Sequence, residues 1–454
     1  MGALLSFLFT VRDVPKLFFA PDVATVAVRK SNKEEDLREI SLRDLVEERC
    51  PSLHNTFLPA WWLPNGHAQT AYCVVGDFSR VDKVEYERTL IRIADGGTLG
   101  LDITPSPSAP YLRDDTPIIV VTHGLTGGSY ESYVRAILAP ACAAPEQGGL
   151  GYRAVVVNFR GCAGVPVTSP QLYSAGQTDD LRTAILHISQ RWPNAPLLGV
   201  GFSLGANVLT RYLAEEGDRS RLISGCAIGC PWDLLANSKQ LEGTWWRRQV
   251  YSTALGGNLK ALLQHHIAAF EASPSKKLNE EMHRVFKESK TTLYDFDNSV
   301  TRLIGGPSPP FPFARAEDYY IWASSHHVLG DIRVPHLCLN ANDDPIVTVL
   351  PVQEGQDALG PWIVFGTTKK GGHLGWFEQG SSADHPHRWF HRPVLEWLKT
   401  MGDEFVAPKR EYPGVEEVDG LIAEVGNHAI AYRVLESTGH IVGVEGEEGL
   451  LKGF

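Results

Sequence analysis

The pentapeptide Gly201-Phe202-Ser203-Leu204-Gly205 sets a hydroxyl between two glycines, directly after an apolar run and directly before a helix-like stretch. A serine on a tight strand-to-helix turn needs small neighbours on both sides, and it holds its Oγ at a helix N-terminus, where developing negative charge is stabilised. The hydroxyl becomes a useful nucleophile only when a base takes its proton, and that base needs a partner to fix its tautomer and stabilise the imidazolium. In this strand-turn-helix setting the order along the chain is serine, acid, histidine. After the apolar run ending at Asn340 comes Ala341-Asn342-Asp343-Asp344-Pro345-Ile346-Val347, and after the run at Ile363 to Phe365 comes Gly371-Gly372-His373-Leu374-Gly375. Of the two acids, Asp344 is the expected partner of His373, because it immediately precedes Pro-Ile-Val at the turn. Asp343 is expected to cap or orient that turn.

Acyl transfer also needs backbone donors for the oxyanion. His123-Gly124-Leu125-Thr126-Gly127-Gly128-Ser129 follows a strand-like run directly, and the N–H groups of Leu125 and Leu204 are the expected donors. Each such donor is worth about 3–4 kcal/mol. His123 itself fits a turn and packing role better than base chemistry. The pairs His265-His266 and His326-His327 do not share a helix face, which argues for packing over metal binding. Cys162 has no activating histidine beside it in sequence, so it reads as an inert thiol. No metal or other cofactor is expected.

The elements that must position these residues are visible as short apolar runs bounded by Gly or Pro. They lie at 116–122, 152–158, 197–202, 334–340 and 362–365, and such runs suit strands buried on both faces of a parallel sheet. Helices are expected at 132–138, 178–190 and 206–214, so the alternation argues for an α/β sheet with right-handed crossovers. Between 231 and 330 the rhythm fails. That stretch carries Trp245-Trp246-Arg247-Arg248, a helix expected at 260–272 and a Pro-rich loop at 305–310, and it reads as an insertion over the sheet. The organisation expected is an N-terminal segment (1–85), a core in two parts (86–230 and 331–400) around the insertion (231–330), and an acidic C-terminal extension (401–454). Residues 30–48 read as a solvated linker or helix face, and a strand is expected at 429–434 in the extension.

Composition narrows the function classes. A chain of 454 residues, 43% hydrophobic and 21% charged, is globular and long enough for a large core. Its 42 basic against 53 acidic residues give a net charge of −11, which argues against a nucleic-acid partner. Seven scattered cysteines without CxxC point to reduced thiols in an intracellular protein, cytoplasmic or peripherally membrane-associated. The apolar run at Leu4 to Val11 ends at Arg12, short of a membrane span, while Gly2 and Ser6 match a myristoylation pattern that would give peripheral membrane contact.

Several motifs together resemble one group, the YheT-like branch of the α/β-hydrolase superfamily, with its fungal medium-chain ester synthases/esterases and monoacylglycerol hydrolases. They are Trp61-Trp62-Leu63-Pro64-Asn65-Gly66-His67-Ala68-Gln69-Thr70, the run His123 to Ser129, Asn158-Phe159-Arg160-Gly161, the Ser203 pentapeptide, Asp318-Tyr319-Tyr320, the Asp-Asp-Pro turn and the His373 loop. The resemblance implies an α/β-hydrolase fold, a mostly parallel sheet flanked by helices with an inserted cap region. It implies a triad of Ser203, Asp344 and His373, and substrates that are fatty acyl esters of glycerol or small alcohols. Three functions follow as expectations: ester hydrolysis, alcohol O-acyltransfer with an acyl donor such as acyl-CoA, or a silent fold used for binding. The cap, with Trp245, Trp246 and the Pro-rich loop, is expected to line an acyl pocket.

Overall fold

A computed structural model describes residues 14–30, 36–106, 112–271, 275–353, 355, 359–378, 387–435 and 439–442. Gly2 and Ser6 of the myristoylation pattern lie outside them. The strands are β1 (Lys16–Phe19), β2 (Thr25–Arg29), β3 (Leu37–Ser41), β4 (Glu85–Ile93), β5 (Thr98–Thr104), β6 (Ile118–Thr122), β7 (Arg153–Asn158), β8 (Leu197–Phe202), β9 (Leu222–Ile228), β10 (His336–Ala341), β11 (Ile363–Thr368), β12 (Val415–Val418), β13 (Leu421–Glu424), β14 (Asn427–Val434) and β15 (Gly439–Val442).

Six of them pair in parallel, in the spatial order β7-β6-β8-β9-β10-β11. Antiparallel strands extend this block on both sides. β1 closes one edge against β11, while β5, β4, β14, β13 and β12 continue the other, with β15 also on β4. The expected strand at 429–434 is thus part of the main sheet, in register with Ile91 to Ile93 of β4. β2 and β3 form a separate hairpin.

The apolar runs are continuous because both faces of the parallel block are covered. In β6, Ile118 and Val120 join the core on one face and Ile119 and Val121 the core on the other; Val155/Val157 and Ala154/Val156 divide likewise in β7. Strand side chains alternate with period two, so a strand with a core on each side must be apolar throughout. One core is filled by the helices Asp179–Arg191 and Leu204–Glu216, the other by Ser132–Cys142 and His391–Lys399. Each aliphatic side chain so enclosed contributes about 1.5–3 kcal/mol.

Within 30–48, expected as a solvated linker or helix face, the described residues 36–48 follow the second alternative. They contain β3 and a helix, Leu42–Arg49, whose Leu42, Leu45 and Val46 are buried. Its charged residues take the other face, and Ser41 caps it by accepting the Asp44 N–H. Between β9 and β10 the chain is helical, including Leu234–Glu242, Thr253–His265, Lys276–Lys287 and Ala316–Ala323. The helix expected at 260–272 begins earlier and breaks at His266, giving Thr253–His265 and Ile267–Glu271.

Candidate active site

Ser203 follows β8 and precedes the helix Leu204–Glu216, with φ 51° and ψ −121°. This strained conformation persists because the surroundings over-determine it. The Ser203 N–H donates to the Ile228 carbonyl of neighbouring β9 at 2.9 Å, which ties the turn to the sheet. The flanking glycines are sterically required. A Cβ at Gly205 would stand 2.4 Å from the carbonyl oxygens of both Thr122 and His123, and one at Gly201 would stand 2.6 Å from the Ala206 Cα.

β10 and β11 bring the acid and the histidine to the same end of the sheet. His373 Nε2 lies 2.8 Å from Ser203 Oγ, and its Nδ1 lies 2.7 Å from Asp344 Oδ2. The other Asp344 oxygen accepts the N–H groups of Ile346 at 2.8 Å and Val347 at 2.9 Å. That leaves Oδ2 for the ring, and it accounts for an acid at the start of this turn. His373 and Asp344 are 2% and 3% exposed, and Ser203 9%, so only the serine end of the chain of hydrogen bonds meets open space. The arrangement can take a proton from Ser203 through Nε2 while the carboxylate holds Nδ1–H in place.

Of the two adjacent acids, Asp344 is therefore the one on the ring. Asp343 Oδ1 instead accepts the Gly372 N–H at 3.0 Å, and burial raises its carboxyl above the usual range while the backbone N–H groups of Gly372 and Gly66 pull it down. It bridges the histidine loop to the helix Gly66–Val75, whose first residue has no room for a side chain: a Cβ there would stand 1.8 Å from the Asp343 carbonyl oxygen.

This helix gives the motif Asn65-Gly66-His67-Ala68-Gln69-Thr70 a physical role that its residue types did not reveal. Asn65 caps the helix by accepting the Ala68 N–H. Thr70 Oγ1 donates to the Gly66 carbonyl at 2.7 Å and accepts the His373 N–H at 2.8 Å. Gln69 bonds both the N–H and the carbonyl of Phe377. The histidine loop is thus gripped at His373 and Phe377 from this helix, and at Gly372 from Asp343.

Leu125 and Leu204 both line the cavity that also contains Ser203 and His373. Leu204 is the first residue of its helix, where an N–H has no intrahelical acceptor. The turn around Leu125 is fixed from several sides. Gly124 N–H donates to Tyr133 and Thr126 N–H to Tyr173, while Thr126 has φ 56°. His123 Nε2 accepts the Phe159 N–H at 3.1 Å, so Nδ1 carries the proton and donates to the Gly124 carbonyl at 2.7 Å. Burial pushes its pKa down to about 4, and the ring serves as a neutral brace. Below the turn, Asp102 takes a bidentate ion pair from Arg88 at 2.6 Å and the hydroxyl of Ser129 at 2.5 Å. Asn158 completes this network through Asp102 and the Ser129 N–H.

The cavity and its open mouth together span about 790 Å³ of space between atoms, open solvent included. Leu234, Leu241, Leu255, Leu259 and Leu293 of the helical region line it, together with Asn237, Ser238 and Asp297. Asp297 accepts the hydroxyls of Thr301 and Tyr320, and burial raises its pKa to about 6. Trp245 and Trp246, expected in this lining, are instead 75% and 57% exposed and take no part in it. They sit at the start of a helical segment whose inward positions are taken by Leu255 and Leu259. The Pro-rich loop 305–310, also expected there, contributes no lining residue, whereas Tyr319 and Tyr320 of the separate Asp318-Tyr319-Tyr320 motif do. Cys162 and the histidine pairs lie elsewhere; His266 bonds the Gly161 carbonyl and His326 the Trp232 carbonyl. Among the described residues no helix is long and apolar enough to cross a membrane.

A family model described as alpha/beta hydrolase fold matches residues 117–355. The monoacylglycerol lipase of Saccharomyces cerevisiae is 32% identical over 91% of this chain and 95% of its own. The medium-chain fatty acid ethyl ester synthase/esterase 2 of the same yeast is 28% identical over 83% of this chain and 92% of its own. The human phospholipase ABHD3 is 29% identical over 78% of this chain and 83% of its own.

Proposed function

The chain belongs to the α/β-hydrolase family, and from that premise we propose that it is a serine-dependent carboxylic ester hydrolase acting on fatty acyl esters. The observation that carries this reading is the unbroken hydrogen-bond chain from Ser203 Oγ through His373 to Asp344, opening into a leucine-lined cavity. The named activities of the yeast and human relatives, all on lipid esters, support it.

In this mechanism Ser203 Oγ attacks the acyl carbonyl carbon as His373 Nε2 takes its proton. The carbonyl electrons move to the oxygen, which the Leu125 and Leu204 N–H groups hold. Collapse of the tetrahedral intermediate breaks the bond to the alcohol oxygen, and His373 returns the proton to that leaving alcohol. The acyl-serine is then opened by water, which gives its proton to His373, and collapse of the second tetrahedral intermediate breaks the bond to Ser203 Oγ, which takes that proton back as the fatty acid leaves. Asp344 remains ionised throughout and keeps the ring in one tautomer. The acyl chain lies among Leu234, Leu241, Leu255 and Leu259. No cofactor takes part in these steps.

An alcohol can replace water in the last step, and the relative named as a synthase as well as an esterase makes acyl transfer the second reading. Product analysis separates the two. The protein is given monoacylglycerols and p-nitrophenyl esters of graded chain length, with and without ethanol, and with an acyl-CoA as alternative donor. Free fatty acid as the dominant product at all ethanol levels is the expected result. Ethyl ester formed from acyl-CoA in preference to acid would transfer the assignment to an acyltransferase, and no product from any donor would refute both.

A further inference from the structure

The tryptophan pairs Trp61-Trp62 and Trp245-Trp246 are left without a role by the site, although indole is the largest apolar side chain. Their exposures are 74% and 40%, and 75% and 57%. Single exposed apolar residues need no explanation, but paired indoles on neighbouring segments do.

The two pairs belong to segments that touch. His67, at the start of the helix that follows Trp61-Trp62, meets Tyr251 with Nδ1 and OH 2.6 Å apart and the rings stacked at 5.8 Å. Tyr251 belongs to the helical segment that Trp245 begins. Trp62 is braced edge-on against Tyr72 at 4.8 Å, so its orientation outward is supported from behind. Both segments also border the reaction site. The first holds His373 through Thr70, and the second continues into Leu255 and Leu259 of the cavity wall.

Cationic side chains lie beside both indole pairs, in a chain whose net charge is −11. Arg247 and Arg248 follow the second pair directly, and Arg248 keeps 51% exposure while pairing with Glu242 at 3.2 Å. Lys370 donates its ammonium to the Pro64 carbonyl beside the first pair. Indole rings settle at the headgroup level of a bilayer, and basic side chains there meet the phosphates. From this combination we infer that the surface carrying Trp61, Trp62, Trp245 and Trp246 is the face with which the protein docks on a phospholipid surface. Docking there would set the cavity next to the layer that holds fatty acyl esters. The choice of a lipid rather than a protein surface leans on the proposed ester-hydrolase reading, but the test reads binding alone, so the two can fail separately.

The full-length protein is mixed with vesicles of phosphatidylcholine, with or without phosphatidylserine, and partitioning is measured by flotation. Wild type is expected to bind both and to favour the anionic vesicles. Trp61→Ser/Trp62→Ser combined with Trp245→Ser/Trp246→Ser is expected to lower partitioning at least about tenfold, with the circular dichroism unchanged. Arg247→Gln/Arg248→Gln is expected to weaken binding to anionic vesicles by about fivefold per charge lost, and to leave neutral vesicles unaffected. Should the fourfold variant not fold, the brominated-lipid quenching of wild-type tryptophan emission, reduced in Trp245→Phe/Trp246→Phe, supplies the same reading. Unchanged partitioning in the fourfold variant, or no binding of wild type to either vesicle, overturns the inference. A dimer in solution that the fourfold variant converts to monomer would also overturn it, by giving the face to a second copy of the chain.

Discussion

The hydroxyl of Thr70 accepts the backbone N–H of His373 at 2.8 Å, across 303 residues of sequence. That N–H is buried, and the same hydroxyl spends its own proton on the Gly66 carbonyl, so its polarity is fixed toward the histidine. Thr70 is thus a positioning residue for the ring. Thr70→Val keeps the shape and removes the acceptor, leaving the N–H unpaired. It is expected to lower kcat about 10- to 100-fold with KM little changed, because a small misplacement of the base acts on the transition state. Thr70→Ser is expected to restore most of the rate. Equal rates for Thr70→Val and wild type would remove this role.

The adjacent acids provide an internal comparison. Asp344 bonds the ring and Asp343 bonds the loop backbone at Gly372. Asp344→Asn is expected to reduce kcat by about 10⁴-fold through loss of the correct tautomer. Asp343→Asn, which replaces a carboxyl already raised by burial, is expected to change mainly thermal stability and to leave most of the rate. Steady-state kinetics on one soluble ester would check the pair, and the reverse ranking would exchange their roles.

Two glycines should respond oppositely to alanine. A Cβ at Gly205 meets backbone carbonyls at 2.4 Å that have no freedom to retreat, whereas at Gly257, inside the helix Thr253–His265, nothing lies within 4 Å. Gly205→Ala is expected to destabilise by about 1–3 kcal/mol or more and to disturb the Ser203 turn. Gly257→Ala is expected to stabilise by up to about 1 kcal/mol through helix propensity. Denaturant unfolding of both variants tests the contrast.

Buried titratable groups should make stability depend on pH in two opposing senses. Burial pushes the pKa values of His123, His187 and His336 down to about 4. Between about 6.5 and 4 the unfolded chain then binds more protons than the folded one, so this stability is present at neutral pH and lost as pH falls through that window. His187 packs edge-on against Tyr432, and neither ring nitrogen has a partner among the described residues. His187→Phe is therefore expected to flatten the acid limb by up to about 1.4 kcal/mol per pH unit. Glu131 behaves in the opposite sense. Burial, partly offset by Arg388 and Arg135, raises it to about 8, so the folded chain binds the extra proton between the ordinary glutamate range and pH 8. Stability falls as pH rises through that window, and Glu131→Gln should gain on wild type at pH 8 and above but not near pH 4. Urea midpoints across pH would show either limb unchanged if these assignments are wrong.

What could be read from the sequence follows from where each signal lies. β6, β7, β8, β10 and β11 are apolar on both faces and stop at Gly or Pro, so a local window suffices, and the serine, acid and histidine turns come directly after three of them. β9 is harder to see because Ser224 and Gly225 interrupt it. Gly225 is there since a Cβ would stand 2.5 Å from both His336 Nδ1 and Leu213, a reason that exists only after folding. β4 alternates charge and apolar residues as a strand with one solvated side does, and its partners are antiparallel neighbours, one of them from the C-terminal extension. Hydrophobicity alone places Trp245 and Trp246 inward, yet the leucines one and two turns beyond Tyr251 fill the wall. The hold of Thr70 on His373 leaves no local trace, because both residues are ordinary in their own windows.

The proposed function stands or falls with Ser203 as the nucleophile of an ester hydrolase. It is tested most directly by treating wild type and Ser203→Ala with a fluorophosphonate and locating the adduct by peptide mass spectrometry, alongside turnover of a monoacylglycerol. A single adduct on Ser203, with labelling and turnover both absent in Ser203→Ala, is the predicted result. Labelling of both proteins at another residue, or turnover that survives in Ser203→Ala, would exclude Ser203 as the nucleophile.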